Sequence, residues 1–504
     1  MSSLPESQFT VLQALHSADA ILTQRQIHEA TGMSLGAVNA TVRELEARGY
    51  VVDRRITDAG LKALEPYRVN NAIIMAAGLS ERFAPISYER PKGTLRVRGE
   101  VLIERQIRQL HEAGITDVTV VVGYKKEYFF YLAEQFGVTI VVNDAYPTRN
   151  NNSSLWRVRK RLGSTYICSS DDYFTSNPFE PYAYKAYYSA QYAEGPTQEW
   201  CISTGPGGRI TGATIGGRDA WTMLGHAYFD RAFSATFTRI LEEVYDLPQT
   251  APQLWESIYL DHIKELDMVI RRYPAGVINE FDSVNEIRSF DPMFMENVDS
   301  KVFDTISAAL GCTKSQIHDF YPLKQGITNL SCHFAVDDQE YVYRHPGIGT
   351  DKIVDRRAET AALKLAGRLG LDRTFLVSDP VEGWKISRFI PRARNLDVTD
   401  DAELARAMRM DRALHDSGER LDRVFDFVAE GLRYESLLAQ SGPIDVPGYA
   451  ELRDKVMRLK ECADADDFPR VPSHNDFFHL NFLVGEDGGL CQRSEERRVG
   501  KECR

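Results

Sequence analysis

Residues 72–83 read AIIMAAGLSERF, an apolar strand pattern that runs directly into a loop of small residues. The unbroken apolar run over 72–75 is typical of a parallel strand that is buried on both faces. Small side chains at Ala76, Ala77 and Gly78 let backbone N–H groups approach a polyphosphate closely. We therefore predict a nucleotide-binding loop directly after this strand, at its carboxyl end.

The sequence that follows alternates between strand and helix patterns. Strands are predicted over 118–122, 139–142 and 166–170, and helices over 102–113 and 128–136. This alternation predicts a doubly wound α/β sheet whose ligand lies at the carboxyl ends of the strands. Two cations, Arg82 and Lys92, follow the small-residue loop and are available for phosphate oxygens.

The strand, the loop, Arg82 and the spaced pair Pro91-Lys92 together resemble the signature of nucleotidyltransferases, which attach a nucleoside monophosphate to a phosphorylated small molecule. Ser80 departs from that signature, because many members of the family carry glycine there. The resemblance implies a Rossmann-like transferase domain over residues 69–295. It also implies that Arg82 and Lys92 hold the triphosphate and that Mg²⁺ is the cofactor.

The same resemblance implies two metal-binding carboxylates. Asp171 follows the strand predicted at 166–170 and matches the family's magnesium-binding aspartate better than its neighbour Asp172. Far downstream, Asp282 matches the second carboxylate near the end of the domain. Mg²⁺ suits such a site, because it binds through one or two carboxylates together with phosphate oxygens and water. Taken alone, either aspartate would be read as a helix cap or a turn residue.

Three motifs resemble the phosphocholine cytidylyltransferase branch of this family, namely NNSSLW (151–156), EWC (199–201) and GHAYF (225–229). The resemblance implies transfer of CMP from CTP to phosphocholine, with release of pyrophosphate. A quaternary ammonium makes no hydrogen bonds, so aromatic faces and a nearby negative charge must bind it. The candidate cage residues are Trp200, which we favour, with Tyr173, Trp221 and Tyr228. Each of these aromatic residues, taken singly, is also read as a core residue.

A third segment, over residues 300–490, contains the motif SHNDFFHLNF at 473–482. With KQGITN at 324–329 and YRHPG at 343–347, this motif resembles the choline/ethanolamine kinase family. The resemblance implies an α+β kinase-like fold of the aminoglycoside phosphotransferase type that binds ATP and choline. By position it implies Asp476 as catalytic base, Asn481 as a Mg²⁺ ligand, Arg344 as a phosphate-binding cation and Glu359 as the partner of Arg344.

The last residues, 491–504, are charged and aperiodic and break with the sequence before them. They resemble the translation of a sequencing-library adapter, and a genuine disordered basic tail is the alternative. The kinase family needs a further metal-binding aspartate on the strand after Asn481, and Asp487 is a poor substitute because it falls in a predicted turn. We therefore expect a truncated kinase-like domain with impaired activity.

The first segment, residues 1–68, predicts a winged helix. Helices are expected over 23–30 and 34–48, with Thr23 and Ser34 as N-caps, and a short hairpin over 50–56 follows. The order of these elements resembles the MarR type of winged helix-turn-helix domain. DNA is therefore a candidate partner, although seven Lys and Arg residues against eight Asp and Glu residues do not predict a basic face. A dimerisation or docking module is the alternative.

The whole chain has 504 residues, a net charge of -12 and a hydrophobic fraction of 43%. Its length predicts about three or four domains. The acidic balance excludes a protein that coats nucleic acid in bulk, and the hydrophobic content excludes wholesale disorder. Seven scattered cysteines, the lack of a signal-peptide pattern and the lack of a membrane-length apolar run favour the cytoplasm.

The sequence thus favours a multifunctional enzyme that phosphorylates choline and converts the product to CDP-choline. Two alternatives stay open at this point. One is a nucleotidyltransferase for another phosphorylated amine or a sugar 1-phosphate. The other is a ligand-sensing transcription regulator with degenerate enzyme domains. The sequence does not decide between choline and ethanolamine, and it does not give the oligomeric state.

Overall fold

The structure is a computed structural model that describes residues 4–18, 20–323, 329–347, 349–350, 353–466 and 469–492. The chain separates into two compact units. The first holds the residues up to Ser80, Arg90–Asp282 and Glu286–Phe294, and the second holds Glu81–Glu89, Ser283–Asn285 and the residues from Met295 onward. The predicted domain boundary at residue 68 therefore lies inside the first unit. Part of the predicted transferase signature, including Arg82, packs with the second unit.

The N-terminal segment folds as a winged helix. Its elements are α1 (Glu6–His16), α2 (Gln24–Thr31), α3 (Leu35–Ala47), the hairpin strands β1 (Val51–Val52) and β2 (Arg55–Ile56), and α4 (Asp58–Leu64). Thr23 caps α2 in a reciprocal capping box with Gln26, and Ser34 caps α3 by accepting from the Ala37 N–H at 3.3 Å. Both predicted N-caps are confirmed. Gly32, at a φ of +68°, ends α2 in the left-handed conformation and so makes the turn into α3.

The winged helix is docked on the rest of the first unit. The Gln13 amide donates to the Glu180 carboxylate at 2.7 Å and to the Tyr182 carbonyl at 2.9 Å. Tyr67 stacks on Tyr184 with ring centroids 5.4 Å apart. Tyr182 itself belongs to the apolar core of the winged helix, where it is 3% exposed. The winged helix and the sheet that follows it therefore share one packed interface.

The remaining strands of the first unit are β3 (Asn71–Ala76), β4 (Arg96–Val97), β5 (Glu100–Val101), β6 (Val118–Val122), β7 (Thr139–Val142), β8 (Thr165–Ser169), β9 (Asp172–Phe174), β10 (Tyr187–Thr204), β11 (Ile210–Phe229), β12 (Val269–Tyr273) and β13 (Ile278–Glu280). The helices that follow α4 along the chain are α5 (Leu102–Glu112), α6 (Tyr131–Phe136), α7 (Asn152–Val158), α8 (Arg231–Val244), α9 (Trp255–Asp261), α10 (Val284–Phe290) and α11 (Phe294–Asn297).

Seven of these strands form one sheet in the order β12-β10-β11-β8-β3-β6-β7. Strands β8, β3, β6 and β7 are parallel, and the long hairpin β10–β11 adds to β8 in the antiparallel sense. Apolar side chains alternate between two cores: Ile74 packs with α5 on one face, and Ile73 packs with α8 on the other. The predicted doubly wound sheet is therefore confirmed, with its Ala76–Gly78 loop at the carboxyl end of the central strand β3.

The second unit contains α12 (Lys301–Leu310), β14 (Ile317–Pro322), β15 (Asn329–Val336), β16 (Gln339–Pro346), α13 (Arg356–Arg368), β17 (Phe375–Ser378), β18 (Lys385–Arg388), β19 (Arg394–Asn395), α14 (Asp401–His415), α15 (Phe427–Ala439), α16 (Tyr449–Ala465), β20 (Phe482–Val484) and β21 (Leu490–Gln492). Strands β14-β15-β16-β18-β17 form an antiparallel sheet, and β19-β20-β21 form a smaller one. Each helix within the described ranges is too short or too polar to traverse a bilayer.

Strand β21 corrects the predicted start of the tail. Cys491 and Gln492 pair with Leu483 and Phe482 of β20 and are 3% and 4% exposed. They belong to the fold, because both the ladder hydrogen bonds and the burial place them in the small sheet. The rest of the predicted tail, residues 493–504, and residues 324–328 of the KQGITN motif lie outside the described residues.

Candidate functional site

An ion pair between Lys92 and Asp171 lies where the strands of the first sheet end. Asp171 follows β8 and is 3% exposed. The Lys92 ammonium donates a hydrogen bond to its carboxylate. Gly93 permits this approach, because a Cβ atom there would lie 2.8 Å from the side chain of Ser170. The structure thus brings together two residues that the sequence analysis had assigned to the nucleotide and to the metal.

Three further carboxylates, Asp172, Glu280 and Asp282, belong with Asp171 to what we call the carboxylate cluster. Strand β13 pairs with β9 so that Glu280 lies opposite Asp172, and Asp282 follows two residues later. Burial alone would lower the pKa of Lys92, but Asp171, with Glu280 and Asp282 nearby, raises it overall. Asp282, predicted from the sequence, therefore lies within electrostatic range of Lys92.

Asp172 and Glu280 were not predicted as site residues. Burial, together with the charges of Glu280 and Asp171, raises the pKa of Asp172 well above its ordinary value. Burial and Asp171 raise the pKa of Glu280 to about 8. Lys92 and the Ser169 backbone offset the shift at Asp172 only in part, and neither of its carboxylate oxygens makes a hydrogen bond of normal geometry. The two motifs that contain these residues, EFD at 280–282 and DDY at 171–173, are visible in the sequence. Their contact follows only from the register in which β13 pairs with β9.

The carboxylate cluster fits Mg²⁺ by the chemistry of its donors. All four side chains offer carboxylate oxygens, the ligand type that this hard cation prefers, and the two Asp172 oxygens are buried without hydrogen bonds. Among the described residues, no three His, Cys, Asp or Glu side chains form a ready-made metal site. Mg²⁺ itself keeps several waters and binds through few protein ligands plus substrate phosphates.

The small-residue loop lies beside this cluster in the sheet. Ala76 and Ala77 are 6% and 5% exposed, and the Ala77 carbonyl accepts from the Tyr124 N–H at 3.1 Å. A Cβ atom on Gly78 would have no heavy atom of the described residues within 4 Å, so the loop opens onto free space there. Ser80 has a φ of +55°, in the left-handed region that favours glycine. The backbone conformation thus explains why glycine is common at this position in the family, and it leaves the serine of this chain without a structural explanation.

Arg82 lies in a short 3-10 turn, Glu81–Phe83. This turn packs with the second unit. The role of Arg82 in holding the triphosphate stays a prediction.

The four predicted cage residues do not form one group. Tyr228 is 1% exposed and packs with Tyr166 in the core on one face of the sheet, whereas Trp200 and Trp221 pack against the core on the other face. Tyr228 as a cage wall was therefore wrong, because strand alternation points its ring into the core. The guanidinium of Arg105 lies 4.5 Å from the ring centre of Tyr173, so a cation already covers that ring.

Trp200 and Trp221 lie on the long hairpin and are only partly buried. Tyr192 contacts Trp221 edge-on with ring centroids 5.5 Å apart, and Arg272 lies 5.2 Å from the Trp221 ring centre. Trp200 has no ring contact of this kind within the described part of the chain. Trp200 therefore stays a candidate cage wall.

A half-buried carboxylate that was not predicted from the sequence is Glu256, in the first turn of α9. Burial raises the pKa of Glu256 to about 7. Its oxygens accept from the Asn151 amide at 3.2 Å and from the Tyr188 hydroxyl at 3.3 Å. Burial, and then the charges of Glu256, Glu280 and Asp172, raise the pKa of Tyr188 well above its ordinary value. The ring of Tyr188 stacks on Trp255, with centroids 5.7 Å apart.

The NNSSLW motif explains how Glu256 reaches this place. Asn150 donates to the Pro252 carbonyl at 3.1 Å, Asn152 donates to the Thr250 carbonyl at 2.9 Å, and the Asn151 side chain accepts from the Trp255 N–H at 2.7 Å. These bonds fix the segment that leads into α9, where Glu256 lies in the first turn. The motif therefore positions the site from about 100 residues away in sequence.

The second unit contains the predicted kinase-like residues. Arg344 on β16 makes two hydrogen bonds to Glu359 on α13, at 2.5 and 2.9 Å, and Arg356 adds a third at 3.0 Å. Burial alone would raise the pKa of Glu359, but the bonds from Arg344 lower it below its ordinary value. The predicted pairing of Arg344 with Glu359 is confirmed. Lys385 on β18 lies opposite Arg344 in the sheet and is also buried.

Asp476 and Asn481 lie together in the same unit. The Asn481 amide donates to the Asp476 carboxylate at 2.7 Å and to its carbonyl at 3.0 Å. A cavity of about 310 Å³ is lined by both Arg344 and Asp476, with Glu359 on the same wall. Asp487 accepts from the Gly489 N–H at 2.8 Å within the turn between β20 and β21. It thus serves the turn, as its position in the sequence indicated.

The exposed face of α3 bears on the DNA prediction. Leu35 is 46% exposed, and the neighbouring exposed positions 36, 37 and 40 are glycine or alanine. Arg43 is followed by Glu44 and Glu46 on the exposed surface. This surface lacks the concentration of cations that phosphate contacts need. DNA binding stays a prediction without structural support beyond the fold.

Comparison with known families supports these assignments. Residues 72–169 match the MobA-like NTP transferase domain. Residues 2–59 match the MarR family.

Three relatives are informative. The chain is 32% identical over 220 residues to the choline-phosphate cytidylyltransferase of Streptococcus pneumoniae, covering 44% of this chain and 96% of the relative. It is 36% identical over 225 residues to the 2-aminoethylphosphonate cytidylyltransferase of Lancefieldella rimae, covering 44% of this chain and 92% of the relative. A solved structure of a choline kinase from Streptococcus pneumoniae is 26% identical with a TM-score of 0.34, and the match covers 39% of this chain and 67% of that one.

Proposed function

The chain belongs to the cytidylyltransferase family with a MobA-like NTP transferase domain, and we propose that it transfers CMP from CTP to phosphocholine, forming CDP-choline and pyrophosphate. The observation that carries the proposal is the Lys92–Asp171 pair within the carboxylate cluster, at the carboxyl ends of parallel strands. A cation and several carboxylates at this edge are what a metal–triphosphate substrate requires.

The reaction needs positioning more than proton transfer. The acceptor's phosphate has its second pKa near about 6, so its attacking oxygen is already ionised at neutral pH. That oxygen attacks the α-phosphorus of CTP, and the bond to pyrophosphate breaks. Lys92 would bind the triphosphate, and backbone N–H groups of Ala76–Gly78 would hold its oxygens.

Mg²⁺ is part of this proposal, held by Asp171 and Asp282 as the resemblance implies. When bound, it would neutralise phosphate charge during transfer. Burial raises the pKa of Asp172 and of Glu280, which favours their protonated forms, so neither is assigned as a ligand of the ion.

Glu256 is our candidate for the residue that recognises the amine. It is a carboxylate that accepts a hydrogen bond from the Tyr188 hydroxyl, so it places a negative charge at the edge of an aromatic side chain. These are the two features that bind a quaternary ammonium. Trp200, on the hairpin, would supply a further aromatic wall.

A second candidate acceptor carries a primary amine. The relative from Lancefieldella rimae that acts on 2-aminoethylphosphonate is 36% identical over its matched length. The Glu256 carboxylate, 3.3 Å from the Tyr188 hydroxyl, also suits an ammonium that donates hydrogen bonds. A sugar 1-phosphate offers no cation for this acidic surface, so we rank it below both amines.

We further propose that the second unit derives from a choline kinase that used ATP to supply phosphocholine. The support is the Arg344–Glu359 pair and the Asp476–Asn481 pair beside one cavity. A phosphoester made by such a kinase would favour phosphocholine over a phosphonate as the acceptor in the first unit. A sensor with inactive enzyme domains is the competing function.

Pyrophosphate release by the full chain with CTP and Mg²⁺ tests the proposal. Phosphocholine, phosphoethanolamine, 2-aminoethylphosphonate and glucose 1-phosphate would be compared as acceptors, beside an Asp171→Ala control. Turnover with phosphocholine that the control lacks supports the proposal. Turnover with phosphoethanolamine or 2-aminoethylphosphonate alone would show that the acceptor carries a primary amine and not the quaternary ammonium of choline. Silence with every acceptor would favour the sensor.

A further inference from the structure

The Lys92–Asp171 pair places a cation on the carboxylate that the reaction's metal requires. Asp171 is nearly buried, with a side chain 4% exposed, whereas the Lys92 side chain is 23% exposed. The Lys92 side chain is therefore the more exposed partner of the pair. Its four-carbon stem is flexible, and its single charge is not tied to one geometry as a guanidinium is.

The carboxylate cluster attracts the Lys92 ammonium and holds it beside Asp171. The Lys92 ammonium donates to the Asp171 carboxylate, with Asp172 next to Asp171 in the chain and Glu280 paired opposite Asp172 across β9 and β13. An ammonium so placed neutralises part of the charge that a divalent cation would otherwise neutralise. Lys92 and a metal ion therefore compete for the same oxygens of Asp171.

A bound triphosphate changes this competition. It offers Lys92 several anionic oxygens, and it also brings oxygen ligands for the metal. Transfer of the ammonium from Asp171 to the phosphates would free the carboxylate at the moment when the metal has its other ligands. The exchange involves no bond making or breaking beyond hydrogen bonds.

We propose that Lys92 blocks metal binding at Asp171 until the nucleotide arrives, so that the metal and CTP enter the site together. The proposal rests on the proposed function in one respect, the assignment of Asp171 as a metal ligand. It goes beyond that function because it assigns Lys92 a second role and fixes the order of binding.

Mn²⁺ titration of the full-length protein, followed by electron paramagnetic resonance, tests this order. The unsubstituted protein should bind Mn²⁺ weakly alone and more tightly with CTP. Lys92→Met should bind Mn²⁺ at least about fivefold more tightly without CTP, the effect of removing a unit charge about 4 Å away even in water-like screening. The same variant should lose pyrophosphate formation. Binding and turnover thus change in opposite directions, which a merely structural lysine would not produce.

Three further variants make the result specific. Lys126→Met removes an exposed lysine elsewhere in the first unit and should leave Mn²⁺ binding unchanged. Lys92→Met combined with Asp171→Asn should lose the added affinity, because the freed carboxylate is gone. Lys92→Gln keeps a polar side chain and serves if the methionine variant does not fold.

Equal Mn²⁺ affinity in the unsubstituted protein and both Lys92 variants would overturn the proposal, as would tight binding to the unsubstituted protein without CTP. Failure of every variant to bind Mn²⁺, even with CTP, would remove Asp171 as a metal ligand and the metal part of the proposed function with it. Tightened binding in Lys92→Met without turnover of any acceptor by the unsubstituted protein would support the block and reject the proposed reaction.

Discussion

Two ion pairs, one in each unit, join a cation to a carboxylate in different ways. Lys92 meets Asp171 through one flexible ammonium, beside three further carboxylates. Arg344 meets Glu359 through two parallel hydrogen bonds, and Arg356 braces the same carboxylate. The first pair can exchange partners when a ligand arrives, whereas the planar guanidinium holds the second in one geometry. A cation and a carboxylate thus form a pair that can change partners in the first unit and a pair of fixed geometry in the second.

The largest effect is expected from breaking the exchangeable pair. Asp171→Asn should lower the rate of pyrophosphate formation by about 10³-fold, because a charge that binds the metal in the transition state is lost. Stopped assays at saturating CTP would measure it. Asp117→Asn is the matched control, since Asp117 pairs with Arg161 at the surface. Equal rates for the two variants would remove Asp171 from the site.

Breaking the rigid pair should instead cost stability. Glu359→Gln leaves the Arg344 guanidinium, 3% exposed, without its counter-charge. We expect a loss of about 3–5 kcal/mol in the free energy of unfolding of the second unit. Urea unfolding with hydrogen exchange of β16 and α13 would locate the effect.

The control for this loss is Glu419→Gln. Glu419 pairs with Arg368 at 3.2 Å, and both side chains are exposed. We expect less than about 1 kcal/mol there. Similar losses in Glu359→Gln and Glu419→Gln would show that the buried pair is not what stabilises the unit.

Replacing Arg344 by lysine tests whether the two parallel hydrogen bonds make the second pair rigid. The ammonium of lysine is a single donor group, so one of the two hydrogen bonds to Glu359 would be lost. Arg344→Lys should cost about 1.5–3 kcal/mol of stability, the usual contribution of one hydrogen bond to a charged group. Arg394→Lys is matched in geometry, since Arg394 also grips Glu403 with two nitrogens, but Arg394 is 56% exposed. Thermal unfolding should separate the two variants, and equal shifts would contradict the argument from burial.

The smallest effect concerns the pH dependence of acceptor binding. The pKa of Glu256 is raised to about 7, so its charge appears only as the pH rises through that value. If Glu256 binds the amine, the KM for a cationic acceptor falls across this range. Glu256→Gln should remove that part of the profile and raise the KM about tenfold at pH 8.

The pH dependence of the stability of Glu256→Gln gives an independent check that the pKa of Glu256 is raised. A carboxyl group with a raised pKa binds its proton more tightly in the folded state, so it lowers stability as the pH rises from about 4.5 to about 7. The glutamine variant should lose this decline. Parallel pH profiles for the variant and the unsubstituted protein, in both KM and unfolding temperature, would exclude Glu256.

Local patterns predicted most of the fold and part of the site. The apolar run at 72–75 and the small residues after it predicted the strand and loop, and the resemblance to the kinase family predicted the pairing of Arg344 with Glu359. Such features depend on neighbours in sequence or on one strand and one helix. The carboxylates Asp171 and Asp282 came from motif resemblance, and their proximity to Lys92 fits it.

Other features depend on contacts that no local pattern encodes. Tyr228 looked like a cage residue, but the antiparallel hairpin turns its ring into the core. Glu256 escaped notice because hydrogen bonds from Asn150–Asn152, about 100 residues away, bring it to the site. Asp172 and Glu280 gained meaning only through the register of β9 and β13. In each case the deciding contact joins residues that are far apart in the sequence.

The docking of the winged helix has a thermodynamic consequence. Tyr182 completes the core of the winged helix, and it follows Asp171 by only eleven residues. Melting the winged helix would uncover Tyr182 and loosen the segment that connects it to Asp171. A ligand that binds the carboxylate cluster and not the unfolded chain therefore raises the melting temperature of the winged helix by mass action. Through that tyrosine, a domain that need not read DNA can still report whether the nucleotide site is filled.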